Sequence, residues 1–156
     1  MIQVFVDGSC RGNPGPGGVG IVVNRNGSIE ERRAVPVEEW TTSARLEVMA
    51  VTMALELIAE KKYRAREVVI YSDSEYAIGI ATGRFMPRKN FEICDALARA
   101  VASQPGVEIR HLGGAPNPAD PQARAANGRP PRRVRHPGTF RSGHDHTRRK
   151  ALLSGR

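Results

Sequence analysis

The chain has 156 residues, 40% hydrophobic and 26% charged, enough for one domain with a real core and tight for two. No apolar run approaches the ~20 residues that a membrane-spanning helix needs, so no membrane role is expected. The net charge of +8 points to a polyanion partner, but residues 124–156 hold nine Arg and one Lys against Asp145 alone, while residues 1–123 hold 14 basic and 15 acidic side chains.

The chain opens directly into a strand pattern, without a basic-then-apolar leader. Cys10 and Cys94 have neither metal-ligand spacing nor a disulfide framework, so a reducing, cytoplasmic setting is expected; a monomer is the separate expectation for oligomeric state. Ile2–Asp7 alternates and is β-branched, which predicts a strand. Gly8–Gly18, crowded with Gly, Pro, Ser and Asn, predicts a turn-rich loop. Val19–Asn24 and Ile29–Val37 predict two further strands joined by an Asn26-Gly27 hairpin turn. Leu46, Met49, Ala50, Met53, Ala54, Leu57 and Ile58 recur at helical spacing, with Ser43 as the expected N-cap.

Val68–Tyr71 is a short continuous apolar run, the pattern of a strand buried on both faces and typically parallel. Ser72-Asp73-Ser74 begins a short helix ending near Gly83, Phe91–Ala102 predicts a third helix, and Val107–Leu112 a fifth strand. The order β-β-β-α-β-α-α-β implies an α/β fold with a mixed five-stranded sheet and helices packed on it. Beyond Leu112 the sequence becomes rich in Gly and Pro. Gln122–Ala126 can form one helical turn, and Asn127–Arg156 has little to bury, so the expected division is a domain over 1–126 and a disordered basic tail over 127–156.

Three acids stand where structure alone explains them poorly. Asp7 closes the first strand and Asp73 ends the buried one; an Asp-Gly turn and a helix N-cap are the ordinary alternatives. Glu47 shares a helix face with Ala50, Ala54 and Ile58, which should lie on the sheet. A capping box needs Ser or Thr three residues earlier, where Ala44 stands. A buried carboxylate costs several kcal/mol without a cation to meet it. If the first and fourth strands are parallel neighbours, Asp7 and Asp73 emerge together and Glu47 reaches toward them. Such a group of oxygen ligands suits a hard divalent cation, Mg²⁺ or Mn²⁺. Two ions about 4 Å apart can activate water and stabilise the leaving oxygen of a phosphodiester.

Asp7-Gly8-Ser9-Cys10-Arg11-Gly12-Asn13-Pro14-Gly15-Pro16-Gly17-Gly18 closely resembles the first motif of bacterial type 1 ribonuclease H. Thr41-Thr42-Ser43-Ala44-Arg45-Leu46-Glu47 resembles the second, and Tyr71-Ser72-Asp73-Ser74-Glu75-Tyr76 the third. The resemblance extends over residues 1–112. It implies a ribonuclease H-like fold and an endonuclease that hydrolyses the RNA strand of RNA–DNA hybrids by a two-metal-ion mechanism. By it, Asp7, Glu47 and Asp73 are metal ligands, with Mg²⁺ as cofactor and Mn²⁺ as substitute. The loop residues Gly8, Ser9, Cys10, Gly12 and Asn13 would meet the RNA strand, where backbone groups can read 2′-hydroxyls. Thr42, Ser43 and Ser74 would lie along the hybrid on backbone contacts.

The departures are specific. Ser43-Ala44 replaces a family pair of Asn residues, weakening one DNA-strand contact. Glu75 stands where an amide is common. Thr82–Asn90 is too short for the basic handle some members carry, with Arg84, Arg88 and Lys89 as a small substitute. The fourth motif departs most. The family expects a Gly-His loop and then Asn-x-x-Ala-Asp-x-Leu-Ala on a helix. This chain has Gly113-Gly114 without the histidine and Asn117-Pro118-Ala119-Asp120-Pro121, one residue short and broken by proline. Asp120 is the candidate fourth ligand and catalytic acid; the alternative is an ordinary loop aspartate. His111 is expected in a strand, and the other histidines lie in the tail, so none replaces the missing one.

The abrupt change after Leu112 has two accounts: a variant in which Asp120 serves from a loop, or a one-base slip. The degenerate codons for Asn127–Arg132 permit Met-Ala-Asp-Arg-Leu-Ala one base later. Two other functions share part of the pattern. A DNA-directed nuclease of the wider class would share the carboxylates but not need the Gly8–Asn13 loop. A non-catalytic hybrid-binding module would retain the loop after losing activity through the fourth motif.

Overall fold

The computed structural model describes residues 1–120. Its elements are β1 (Ile2–Cys10), β2 (Gly15–Arg25), β3 (Ser28–Thr41), α1 (Ser43–Glu60), a 3₁₀ turn (Ala65–Glu67), β4 (Val68–Ser72), α2 (Glu75–Ala81), α3 (Phe91–Ser103) and β5 (Glu108–His111). The sheet runs β3-β2-β1-β4-β5. The first three strands pair antiparallel, and β4 joins β1 and β5 in parallel. The expected element order and mixed sheet are both present. The expected helical turn at Gln122–Ala126, the domain boundary and the basic tail lie outside the described residues.

The Gly8–Gly18 segment differs from its expected loop. Gly8 through Cys10 continue β1 and pair with Gly17 through Val19, leaving only residues 11–14 as the connection. These glycines allow close packing more than they make turns. A Cβ on Gly8 would lie 2.5 Å from the carbonyl carbon of Leu46 on α1, and one on Gly17 would lie 2.2 Å from the Ser9 carbonyl oxygen. The β2–β3 hairpin turns as expected at Asn26 and Gly27, whose φ values of 52° and 85° suit a left-handed two-residue turn.

One sheet face is closed by the helices. Val4 and Val6 from β1, Ile21 and Val23 from β2 and Ile70 from β4 meet Leu46, Ala50, Ala54 and Ile58 of α1. Each fully buried Leu or Ile here contributes roughly 1.5–3 kcal/mol, which anchors the α1 stripe that also carries Glu47. On the opposite face, Phe5 stacks on its cross-strand neighbour Tyr71, with ring centroids 5.3 Å apart. Asp7 follows Phe5 by two residues and therefore shares this second face.

The helix caps correct two expectations. Thr42, not Ser43, caps α1, its hydroxyl accepting from the Arg45 N–H at 3.3 Å. Ser43 is already helical, and its N–H goes to the Asn13 side chain. Ser74 caps α2 by accepting from the Ala77 N–H, which frees Asp73 from that duty. Among the described residues, no helix is long and apolar enough to cross a membrane.

Candidate active site

The parallel pairing of β1 with β4 sets Phe5 beside Tyr71, so two residues later Asp7, still within β1, and Asp73, just past the end of β4, stand at the same level. Asp7 is partly buried and Asp73 exposed. Burial first, then the charges of Asp73 and Asp120, push the Asp7 carboxyl up to about 6; the Gly8 N–H offsets part of this and Glu47 adds to it. Glu47 sits one turn before Ala50 on the buried stripe, as its spacing predicts. Burial raises its pKa, the Ser74 hydroxyl donating to its Oε2 at 2.8 Å counters that, and Asp73 adds repulsion.

All four acids therefore belong to one electrostatic neighbourhood. None of the ion pairs among the described residues involves Asp7, Glu47 or Asp73. Nor are three Asp, Glu, His or Cys side chains among those residues drawn close enough to enclose an ion.

Beside the acids, the β1–β2 tip is tied to the start of α1. Cys10 Sγ lies 3.3 Å from Ser43 Oγ, and Asn13 Oδ1 accepts from the Ser43 N–H at 3.3 Å. The loop expected to meet RNA and a residue expected to lie along the hybrid thus form one surface. Thr42 is partly exposed at its edge. Gly8 is buried against Leu46, Ser9 is partly exposed, and Gly12 stands in the open tip with φ of 69°. Ser74 departs from expectation. It is 7% exposed, and its hydroxyl both caps α2 and donates to Glu47, so it supports an acid instead of facing a ligand.

Two groups were missed in the sequence. Arg45 Nη1 donates to Asn90 Oδ1 at 3.0 Å, tying the guanidinium to the residue before α3; the pair is 45 residues apart, and no local pattern announces it. Asn117, legible in the sequence only as part of an eroded motif, is buried and donates to both the Val6 carbonyl and Asp73 Oδ1. His111 ends β5 level with Ser72, its Nδ1 accepting from the Gly113 N–H and its Nε2 3.7 Å from Glu75.

Residues 1–97 match the RNase H family model. The chain belongs to the RNase H family. It is 40% identical over 75 residues to a ribonuclease H of Chromobacterium violaceum, covering 48% of this chain and 47% of that protein. It is 45% identical over 76 residues to one from Shewanella baltica, covering 49% and 45%. The chain spans about half the length of the curated relatives it matches. Its fold matches the RNase H1 of Halobacterium salinarum with a TM-score of 0.62 at 25% identity, covering 71% of this chain and 84% of that one. It matches LC11-RNase H1, solved in complex with an RNA/DNA hybrid, with a TM-score of 0.64 at 25% identity, covering 72% and 85%.

Proposed function

We propose that the chain is an endonuclease that hydrolyses the RNA strand of RNA–DNA hybrids, with residues 1–126 as its catalytic domain. The observation that carries this reading is the placement of Asp7, Glu47, Asp73 and Asp120 within one electrostatic neighbourhood, beside a surface joining the Cys10–Asn13 tip to the start of α1. The donor set fits a hard divalent ion. It offers carboxylate oxygens, and burial together with the neighbouring acids holds the Asp7 carboxyl above its ordinary range.

Asp7, Glu47, Asp73 and Asp120 would hold two Mg²⁺ ions, or Mn²⁺ in their place. When bound, these supply Lewis acidity that lowers the pKa of water and stabilises the leaving oxygen. The chain's own residues do the rest. Ser74 fixes the Glu47 carboxylate by its hydroxyl. Gly12, Asn13 and Cys10 form an open tip whose backbone and polar groups suit 2′-hydroxyls, the feature that separates RNA from DNA. Ser43 and Thr42 border it, and the Arg45 guanidinium, steered by Asn90, supplies positive charge for the DNA-strand backbone.

The test is incubation of the chain with end-labelled hybrid, RNA duplex and DNA duplex in Mg²⁺. The expected outcome is cutting of the RNA strand in the hybrid alone. Retarded hybrid without cleavage in Mg²⁺ or Mn²⁺ would identify a binding protein instead.

A further inference from the structure

Among the exposed residues that follow β5, Asn117 stands out. Gly113, Gly114, Ala115 and Pro116 are exposed, yet Asn117 is 7% exposed and fully engaged. Its Nδ2 donates to the Val6 carbonyl at 2.9 Å and to Asp73 Oδ1 at 3.1 Å, and its Oδ1 accepts from the Ala119 N–H at 3.0 Å. Its own carbonyl accepts from the Asp120 N–H at 3.1 Å. Both amide hydrogens and the amide oxygen are used, and reversing the amide would set oxygen against two acceptors.

We infer that Asn117 is the positioning residue of the acidic site, holding Asp73 in place and tying it to the peptides that carry Asp7 and Asp120. The inference rests on the proposed hybrid nuclease and adds a role to it. One side chain touches Asp73 itself, the residue before Asp7 and the residue before Asp120. Asp73 is exposed at a strand end, so without this contact its carboxylate has little to limit its rotation. The amide steadies Oδ1 as a neutral donor, adding no positive charge to compete with a cation.

The turn is seated by a second feature. Ala119 is fully buried over β2, where a Cβ on Gly20 would lie 2.2 Å from its carbonyl oxygen. Gly20 pairs with Asp7 across the ladder, so the absent side chain leaves room for the turn directly beside that acid. The bonds of Asn117 and the space left by Gly20 thus seat the same turn at residues 117–120.

The test uses the full 156-residue chain, with Asn117→Asp as the main variant because it keeps the shape and loses both donors. Mn²⁺ binding is followed by calorimetry without nucleic acid, and kcat and KM are measured on a hybrid. The expected result is Mn²⁺ affinity and kcat each lower by about 10- to 100-fold, with KM within about threefold, because outer partners of metal ligands carry effects of that size. Asn117→Gln, which retains the donors on a longer arm, should recover part of both. In an Asp73→Ala background, Asn117→Asp should cost less than it does in the wild type, since the shared partner is gone.

Should Asn117→Asp fail to fold, Gly20→Ala provides the second variant, and it should lower Mn²⁺ affinity by displacing the turn. Wild-type affinity and kcat in a folded Asn117→Asp protein, or wild-type affinity in Gly20→Ala, would overturn the inference while leaving the nuclease intact. A wild-type chain that neither binds Mn²⁺ nor cuts the hybrid would instead defeat the nuclease reading itself, and this inference with it.

Discussion

The β1–α1–β4 framework and the turn at residues 117–120 hold acids of one site by different means. Asp7 and Asp73 ride on a parallel ladder whose register runs from Ile2–Val68 to Phe5–Tyr71. Glu47 rides on a helix whose buried stripe includes Leu46, Ala50, Ala54 and Ile58. Extensive packing fixes the backbone that carries these three acids, so replacing an acid should leave its support standing. Asp120 rides on a short turn held by one buried amide, one buried alanine and the space left by Gly20. Placement by the framework is robust, and placement by the turn depends on a few side chains.

The largest expected effect lies in the framework. Asp7→Asn or Asp73→Asn should lower hybrid cleavage by about 1000-fold or more, a loss of roughly 4 kcal/mol of transition-state stabilisation. Folding by circular dichroism should be unchanged, and hybrid affinity should be equal or tighter, because a negative charge near phosphates is gone. Near-normal cleavage in either variant would remove the metal assignment.

Asp120→Asn examines the other half of the comparison. If the turn supplies a working ligand, activity should drop by about 10- to 100-fold and added Mn²⁺ should restore part of it. The reading-frame account expects no change on this substitution, together with feeble activity of the whole chain. A large loss excludes the slip; wild-type activity excludes the turn as a ligand carrier.

Truncation after Ala126 removes eight Arg and one Lys against Asp145. Each phosphate that the tail no longer neutralises should reduce the slope of log affinity against log salt by about 0.9 on a duplex, so titrations at several ionic strengths should show a flatter line. An unchanged slope would mean that the tail does not engage the phosphates.

The smallest effect concerns stability without metal. The Asp7 pKa rises from 3.8 to about 6 on folding, so between those values the folded state holds more protons than the unfolded state. Stability therefore falls as pH rises through that window, and the deficit is complete above it. Asp7→Asn should stabilise the metal-free protein at pH 7 by about 1 kcal/mol, after discounting the shift for solvent screening, and by much less near pH 3. Chemical denaturation at the two pH values measures this. An equal gain at both would assign it to shape and not to charge.

Much of the framework could be read in advance because its signals are local. Alternation gave β1, the Asn26-Gly27 pair gave the hairpin, and Glu47 on an apolar stripe identified an acid out of place. The misjudged features depend on distant partners. Gly8 and Gly17 look like turn residues until Leu46 is packed against them. Thr42 and Ser43 are both able caps, and the choice follows from Asn13 taking the Ser43 N–H across 30 residues. Ser74 resembles a surface contact in the sequence because its bond to Glu47 spans 27 residues. Asn117 was hidden most deeply: its partners Val6 and Asp73 lie 111 and 44 residues away, on two different strands.

The most direct test of the shared acidic site is a Mn²⁺ titration of the wild-type chain without nucleic acid, followed by calorimetry, beside Asp7→Asn, Glu47→Gln and Asp73→Asn. The account predicts saturable binding in the wild type and affinity at least about tenfold weaker in each variant, since each removes one charge from the same oxygen cluster. Equal Mn²⁺ affinity in all four proteins would contradict it.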